Sequence, residues 1–169
     1  CEFVDMDETE SRRWLRNAVA LYRSILSSAP DHHRADEVMA YLGLAWLELG
    51  STEQAMDAFR TLIDRYPDSP WTPDAYIHLG EYLFAKGSFE EAEWAFTRAG
   101  QFPDSRHQPY AWYMLAWVHY SRNRTEAAVA LLRQLVQGAK EQGKEDVLTY
   151  ALPDLMRFNA EVERPHEAR

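Results

Sequence analysis

The side chains able to bind a metal or attack a substrate are few and scattered in this 169-residue chain. Asp31-His32-His33 is the one local cluster with ligand chemistry, but adjacent side chains in a turn seldom converge on one ion. It reads as turn residues. The phosphate-cradling glycine loop, H-E-x-x-H and C-x-x-C are all missing. Cys1, the sole cysteine, sits in an acidic stretch with no predicted base nearby, so neither an activated thiol nor an internal disulfide follows. His78 and His119 fall on different helical faces and read as a groove-side polar residue and a hydrogen-bonded core residue. Met6, Met39, Met56, Met114 and Met156 read as core or gap fillers. No catalytic residue, metal or cofactor is expected. The chemistry that remains is recognition. Tyr113, Trp117 and Tyr120 stand at i, i+4 and i+7 on a helix whose core face is already supplied by Trp112, Leu115, Ala116 and His119. Such a second apolar face either packs on neighbouring helices, including one over 146–163, or anchors a partner segment.

These residues are positioned by a repeat. Ala18…Tyr22…Ile25…Pro30, Ala55…Phe59…Leu62…Pro67 and Ala92…Phe96…Ala99…Pro103 start 37 residues apart, and Ala128…Leu132…Leu135 follows 36 residues after the third. Each set places a small and two apolar residues on one helical face. A fixed period of this length marks a stacked array in which no unit buries its apolar face alone. First helices are predicted over 34–49, 73–86 and 108–122, and second helices over 52–65, 89–101 and 125–141. A leading helix over 9–28 supplies the second half of an incomplete repeat. A trailing helix over 146–163 carries Leu152, Leu155 and Met156 in the register of a first helix. Thr72-Pro73 predicts a hydroxyl cap before a first-turn proline. Ser51…Gln54 and Ser88…Glu91 have capping-box spacing. Gly50 and Gly87 suit left-handed helix ends, and Asn123 can adopt the same conformation. Pro153 predicts a kink or a helix start. Gly138 to Lys144 reads as a fraying helix end or a loop.

Composition excludes several classes. The formal net charge is −9, with 27 acids against 18 Lys and Arg. No basic stripe of the kind that neutralises phosphates is visible, so nucleic acid is not an expected partner. Arg12, Arg13 and Arg16 form a short cluster that can pair with Glu8 and Glu10. No apolar run approaches the ~20 residues of a membrane-spanning helix.

The repeat resembles the tetratricopeptide family. The second repeat carries the resemblance best, through Tyr76, Leu79, Gly80, Leu83, Gly87, Phe89, Ala92, Phe96 and Ala99. The first reads Met39, Leu42, Gly43, Trp46, Gly50, Ala55, Phe59, Leu62 and Pro67, and the third Trp112, Leu115, Ala116, His119, Ala128, Leu132 and Leu135. The period exceeds the family's usual 34, which leaves the superhelical pitch open, and His119 stands where an aromatic or aliphatic residue is usual. The resemblance implies an all-α fold, a right-handed superhelical stack of about eight helices in antiparallel pairs. Its parts are an acidic tether over 1–8, a half repeat over 9–30, full repeats over 34–67, 73–103 and 108–141, and the terminal helix.

It also implies a concave groove lined by first helices. In this register, Ala40, Leu44, Leu47, Glu48, Ile77, Glu81, Phe84, Tyr113, Trp117 and Tyr120 face the groove. The partner-binding residues expected are Leu44, Glu48, Ile77, Glu81, Phe84, Tyr113, Trp117 and Tyr120, taking a protein or peptide, with Glu48 and Glu81 favouring a basic one. A structural spacer or self-assembly module, stacking through its half repeats, is the second reading, and the repeat part of a larger enzyme the third. Arg65-Tyr66-Pro67-Asp68-Ser69-Pro70, Gln101-Phe102-Pro103-Asp104-Ser105 and the run Tyr110 to Trp117 further resemble repeat proteins of Gram-negative cell envelopes, such as those of the myxobacterial gliding-motility machinery. With Cys1 read as a lipid-anchor residue, this implies a periplasmic or outer-membrane-associated protein. A chain cut that happens to begin at Cys1, in a cytoplasmic protein, is the alternative.

Overall fold

A computed structural model describes residues 8–163. Cys1 lies outside the described residues, as does the segment from Pro165 to Ala168. Among the described residues there are eight helices and no strand. They are α1 (Glu8–Ser28), α2 (Ala35–Glu48), α3 (Thr52–Arg65), α4 (Thr72–Ala85), α5 (Phe89–Gly100), α6 (Gln108–Ser121), α7 (Thr125–Gln142) and α8 (Glu145–Glu163). The chain divides into two compact units, Cys1–Ala75 and Tyr76–Arg169. In the first, α1 packs on α2 and α2 on α3. In the second, α5 packs on α6, α6 on α7, and α8 on both α7 and α6.

Pairing rests on a small residue beneath a large one. Gly43 of α2 lies beneath the ring of Phe59 of α3, so closely that a Cβ at Gly43 would come within 2.5 Å of it. Gly80 and Phe96 repeat the arrangement between α4 and α5, at 2.7 Å. Both rings are fully buried. In the third pair, the equivalent residues Ala116 and Leu132 share one buried cluster.

Each pair turns the same way. Gly50 (φ 74°), Gly87 (φ 77°) and Asn123 (φ 58°) adopt the left-handed conformation that ends the first helix. The next amide then reaches back: Ser51 N–H donates to the Trp46 carbonyl at 2.9 Å, Ser88 to Leu83 at 2.9 Å, and Arg124 to His119 at 2.9 Å. That hydrogen bond closes a Schellman motif, and it corrects the capping-box expectation. A capping box needs the Ser51 or Ser88 amide free for the side chain three residues on, yet the preceding helix has already taken it. Neither serine makes a side-chain cap.

Three further expectations change. Thr72 does not cap α4; it is buried within the helix and its hydroxyl donates to the Tyr66 carbonyl at 2.7 Å. Ser69 and Ser105 organise the turns between pairs, accepting the amides of Trp71 and His107 at 3.2 Å. α8 neither starts at Pro153 nor is interrupted there, because Val147, Ala151 and Phe158 bury one face of it on both sides of the proline. Gly138 lies inside α7, which is helical to Gln142 and ends on left-handed Gly143. The longer junction before α8 is therefore extra helix; only Gly143 and Lys144 link the two.

Candidate functional site

Within the second unit, the first-helix positions of α4, α6 and α8 form a continuous aromatic and acidic strip. It begins on α4, where His78 Nδ1 lies 3.4 Å from a Glu81 carboxylate oxygen. The Tyr110 hydroxyl of α6 donates to the same carboxylate at 2.7 Å. Tyr110 then leans on Tyr113, with ring centroids 6.2 Å apart, and Tyr113 meets Tyr150 of α8 edge-on at 4.7 Å.

Asp154 is the hub of the next stretch. One carboxylate oxygen accepts the Tyr113 hydroxyl at 2.7 Å and the Trp117 indole N–H at 3.1 Å. The other lies 3.4 Å from Arg157. The Arg157 guanidinium sits over the rings of Trp117 (4.7 Å), Phe158 (4.9 Å) and Tyr120 (5.7 Å), a cation–π arrangement. Tyr120 stacks on buried Phe158 with ring planes 2° apart and donates to the Glu161 carboxylate at 3.0 Å. Tyr113, Trp117 and Tyr120 thus pack on α8, and each keeps part of its surface in solvent.

The electrostatics hold these groups in fixed roles. Burial, then the Glu81 carboxylate, push the Tyr110 phenol well above its ordinary range. Burial and Asp154 do the same at Tyr113, and Tyr150 is pushed up to about 12 by burial, with Asp146 adding to it. At Tyr120, the bond to Glu161 is the main cause. All four phenols therefore stay protonated, and Tyr110, Tyr113 and Tyr120 act as donors. Burial opposes ionisation of Glu81, but the hydrogen bonds from His78 and Tyr110 outweigh it and lower its pKa.

The expected groove residues do not share one environment. Glu81 is half-exposed and joins the strip. Ile77 does not: it is buried in a cluster with Ala99 and Ala111, because Tyr76 and Tyr110 close over that cluster. Ala40 is buried as well. Phe84 is half-buried, edge-on to Phe89 at 5.5 Å, and packs on the Phe96–Leu115–Val118 core. In the first unit, Leu44 is half-buried and Glu48 exposed. His119 also departs from expectation. Its Nδ1 is buried without a hydrogen-bond partner, and burial lowers its pKa.

Asp154, Arg157 and Glu161, which organise the strip, were not singled out in the sequence. Their signal is helical spacing: i, i+3 and i+7 on the trailing helix place all three beside the α6 stripe. Apart from the strip, a concavity of about 280 Å³ opens between α6, the extended end of α7 and the start of α8, lined by Trp112, Leu131, Leu135 and Val147 with Gln108 and Gln134. Among the described residues, no three His, Cys, Asp or Glu side chains gather to hold a metal. No helix among them is long and apolar enough to cross a membrane.

Paired helices, a small residue beneath a large one and left-handed inter-helix turns define a helical-repeat protein of stacked hairpins. Residues 37–69 and 109–134 each match a model described as tetratricopeptide repeat, and the chain carries such repeats. Among solved structures, MamA is similar with a TM-score of 0.62 at 17% identity, over 92% of this chain and 96% of that one. The kinesin-light-chain-related, nearly identical TPR-like repeats of Podosopora anserina give 0.59 at 14%, over 91% and 93%. BtubC (BKLC) from P. vanneervenii gives 0.54 at 16%, over 92% and 78%. At these identities the likeness is one of fold. A comparison with curated protein sequences found no match.

Proposed function

We propose that this chain is a non-catalytic scaffold that binds a segment of a partner protein along the α4–α6–α8 strip of its second unit. The tetratricopeptide fold supports the class, since such repeats generally serve protein–protein interaction. The observation that carries the site is the run of half-exposed tyrosines and Trp117 whose polar tips are already tied to Glu81, Asp154 and Glu161. Tyr and Trp dominate interface hot spots. Anchoring their tips in advance lowers the ordering cost of binding. Three carboxylates against Arg157 and His78 favour a segment carrying Lys or Arg beside an apolar residue. An envelope or motility context, with Cys1 as a lipid anchor, is proposed on the turn motifs and on Cys1 alone.

The test is an array of Lys- and Arg-bearing peptides followed by side-chain NMR of Tyr113, Tyr150 and Trp117. Binding peptides should perturb these resonances. The double variant Glu81→Gln, Glu161→Gln should bind at least about fivefold more weakly, ~1 kcal/mol, with unchanged helicity. Peptides that bind the variant equally well, or an array that leaves the strip unperturbed, would refute the site.

A further inference from the structure

We propose that Trp117, Tyr120, Phe158 and Asp154 form a cage for an arginine side chain of a partner segment, and that Arg157 is the chain's own occupant of that cage. This rests on the α4–α6–α8 strip as the binding surface and names the residue it reads. The walls of the cage are fixed without Arg157. Asp154 accepts the Tyr113 hydroxyl and the Trp117 indole N–H through one oxygen, and Glu161 accepts the Tyr120 hydroxyl. Tyr120 lies flat on fully buried Phe158 with ring centroids 4.0 Å apart, and Trp117 meets Phe158 edge-on at 5.3 Å. None of these contacts passes through Arg157.

The occupant, by contrast, is loosely held. Arg157 reaches the second Asp154 oxygen at 3.4 Å, and 49% of its side chain is exposed. Other arginines of the chain are gripped: Arg122 by Glu93 and Glu90 at 2.5 and 2.8 Å, and Arg34 by both oxygens of Glu37 at 2.5 and 2.7 Å. A half-exposed i, i+3 pair as long as that of Arg157 contributes little. What favours a guanidinium here is the frame. The group lies 4.7 Å from the Trp117 ring centroid and 4.9 Å from that of Phe158, with a carboxylate oxygen at its edge. Ring faces attract a cation. A planar guanidinium stacks on an indole while its N–H fork keeps the carboxylate, which an ammonium does less well. A vacant cage would wet the Phe158 ring and leave the second Asp154 oxygen without its cation. Another arginine restores both contacts, so the exchange is nearly balanced and the partner's remaining contacts along the strip decide it. Arg157 is therefore a resident competitor. The apparent affinity for an arginine-bearing segment is the intrinsic affinity scaled by the fraction of molecules whose cage is open.

Arginine amide titrated into the 169-residue chain tests this, followed by the NMR signals of the Trp117 indole N–H and the Tyr120 ring. In Arg157→Ala the probe should shift both signals, at a half-saturating concentration at least about fivefold lower than in the wild type. Arg157→Gln, which keeps a polar stem on the helix, should show the same gain. Lysine amide should bind both variants more weakly, and uncharged citrulline amide should leave the two signals in place. No response in either variant, a response equal to that of the wild type, or lysine or citrulline amide matching arginine amide would each overturn the proposal. The cage and the strip fail separately. Arginine amide filling the cage while no peptide perturbs the strip would uphold the cage and sink segment binding. Arginine-bearing peptides that occupy the strip with equal affinity in the wild type and Arg157→Ala would do the reverse.

Discussion

The second and third helix pairs share one register and are held together differently. In the second, the Phe96 ring rests on Gly80, and Leu83 packs against the same core near the end of the first helix. In the third, Ala116 and Leu132 replace that glycine and phenylalanine, and His119 replaces the leucine. The third pair compensates through α8, which lays Asp154, Arg157 and Phe158 against Tyr113, Trp117 and Tyr120. A close-packed pair has little surface to spare for a partner. A pair braced by polar tips keeps aromatic surface in solvent, and this is why the aromatic part of the strip is assigned to the third, with His78 and Glu81 of the second at its edge.

The sharpest way to break this comparison is to exchange the pairings. Gly80→Ala forces a methyl group against a fully buried ring that has 2.7 Å to offer. Overpacking of this kind costs about 1–3 kcal/mol, and urea denaturation should read a loss near 2. Adding Phe96→Leu, which recreates the third pair's combination, should recover part of that loss despite the smaller side chain. Equal or greater destabilisation in the double variant would mean that the two pairs do not differ by size exchange. Ranked next is Asp154→Ala, which strips the acceptor from Tyr113 and Trp117 together. Because the Asp154 side chain is only 15% exposed and two donors lose their acceptor, the loss should be about 1–2 kcal/mol, with Asp154→Asn milder. A change in near-ultraviolet circular dichroism confined to the aromatic signal would locate the effect.

His119 should give the smallest effect, visible only through pH. Burial lowers its folded pKa, while the unfolded chain titrates near 6.5. The unfolded state therefore binds the proton first. The stabilisation is present above about pH 6.5 and is lost as pH falls through the lower folded value. His119→Leu, which copies Leu83 of the second pair, should flatten that part of the stability profile. A slope that persists in the variant would show that another group causes it.

Helix existence and boundaries were legible to within a residue or two, because the 37-residue period, Gly50, Gly87 and Asn123 all mark the same places. Capping was not, since spacing alone does not reveal that the Ser51 amide belongs to the helix before it. Ile77 illustrates a second limit: the register gives a side chain's direction, but not that Tyr76 and Tyr110 cover it. The aromatic stripe on α6 was legible, and its bracing was not. Asp154 lies 41 residues from Tyr113, and the extra helix at the end of α7 shifts α8 out of the simple period. Pro153 misled for a related reason: one missing donor counts for less than a face buried on both sides of it.

The doubly used amino acids at the hairpin turns bear on how such a chain can change its length. Ser51 closes α2 with its N–H and opens α3 with its carbonyl, which accepts from Ala55 at 3.1 Å. Ser88 and Arg124 do the same for the later pairs. An inserted residue there would unseat two helices at once, and the three turns are of equal length, 49–51, 86–88 and 122–124. The joints over 29–34, 66–71 and 101–107 carry no such double duty, whereas at 143–144 Lys144 does, donating to the Ala139 carbonyl at 2.9 Å and accepting from Leu148 at 3.3 Å. Each hairpin therefore behaves as an indivisible brick. Drift in the repeat period accumulates in the mortar and, before α8, in the length of a brick's last helix.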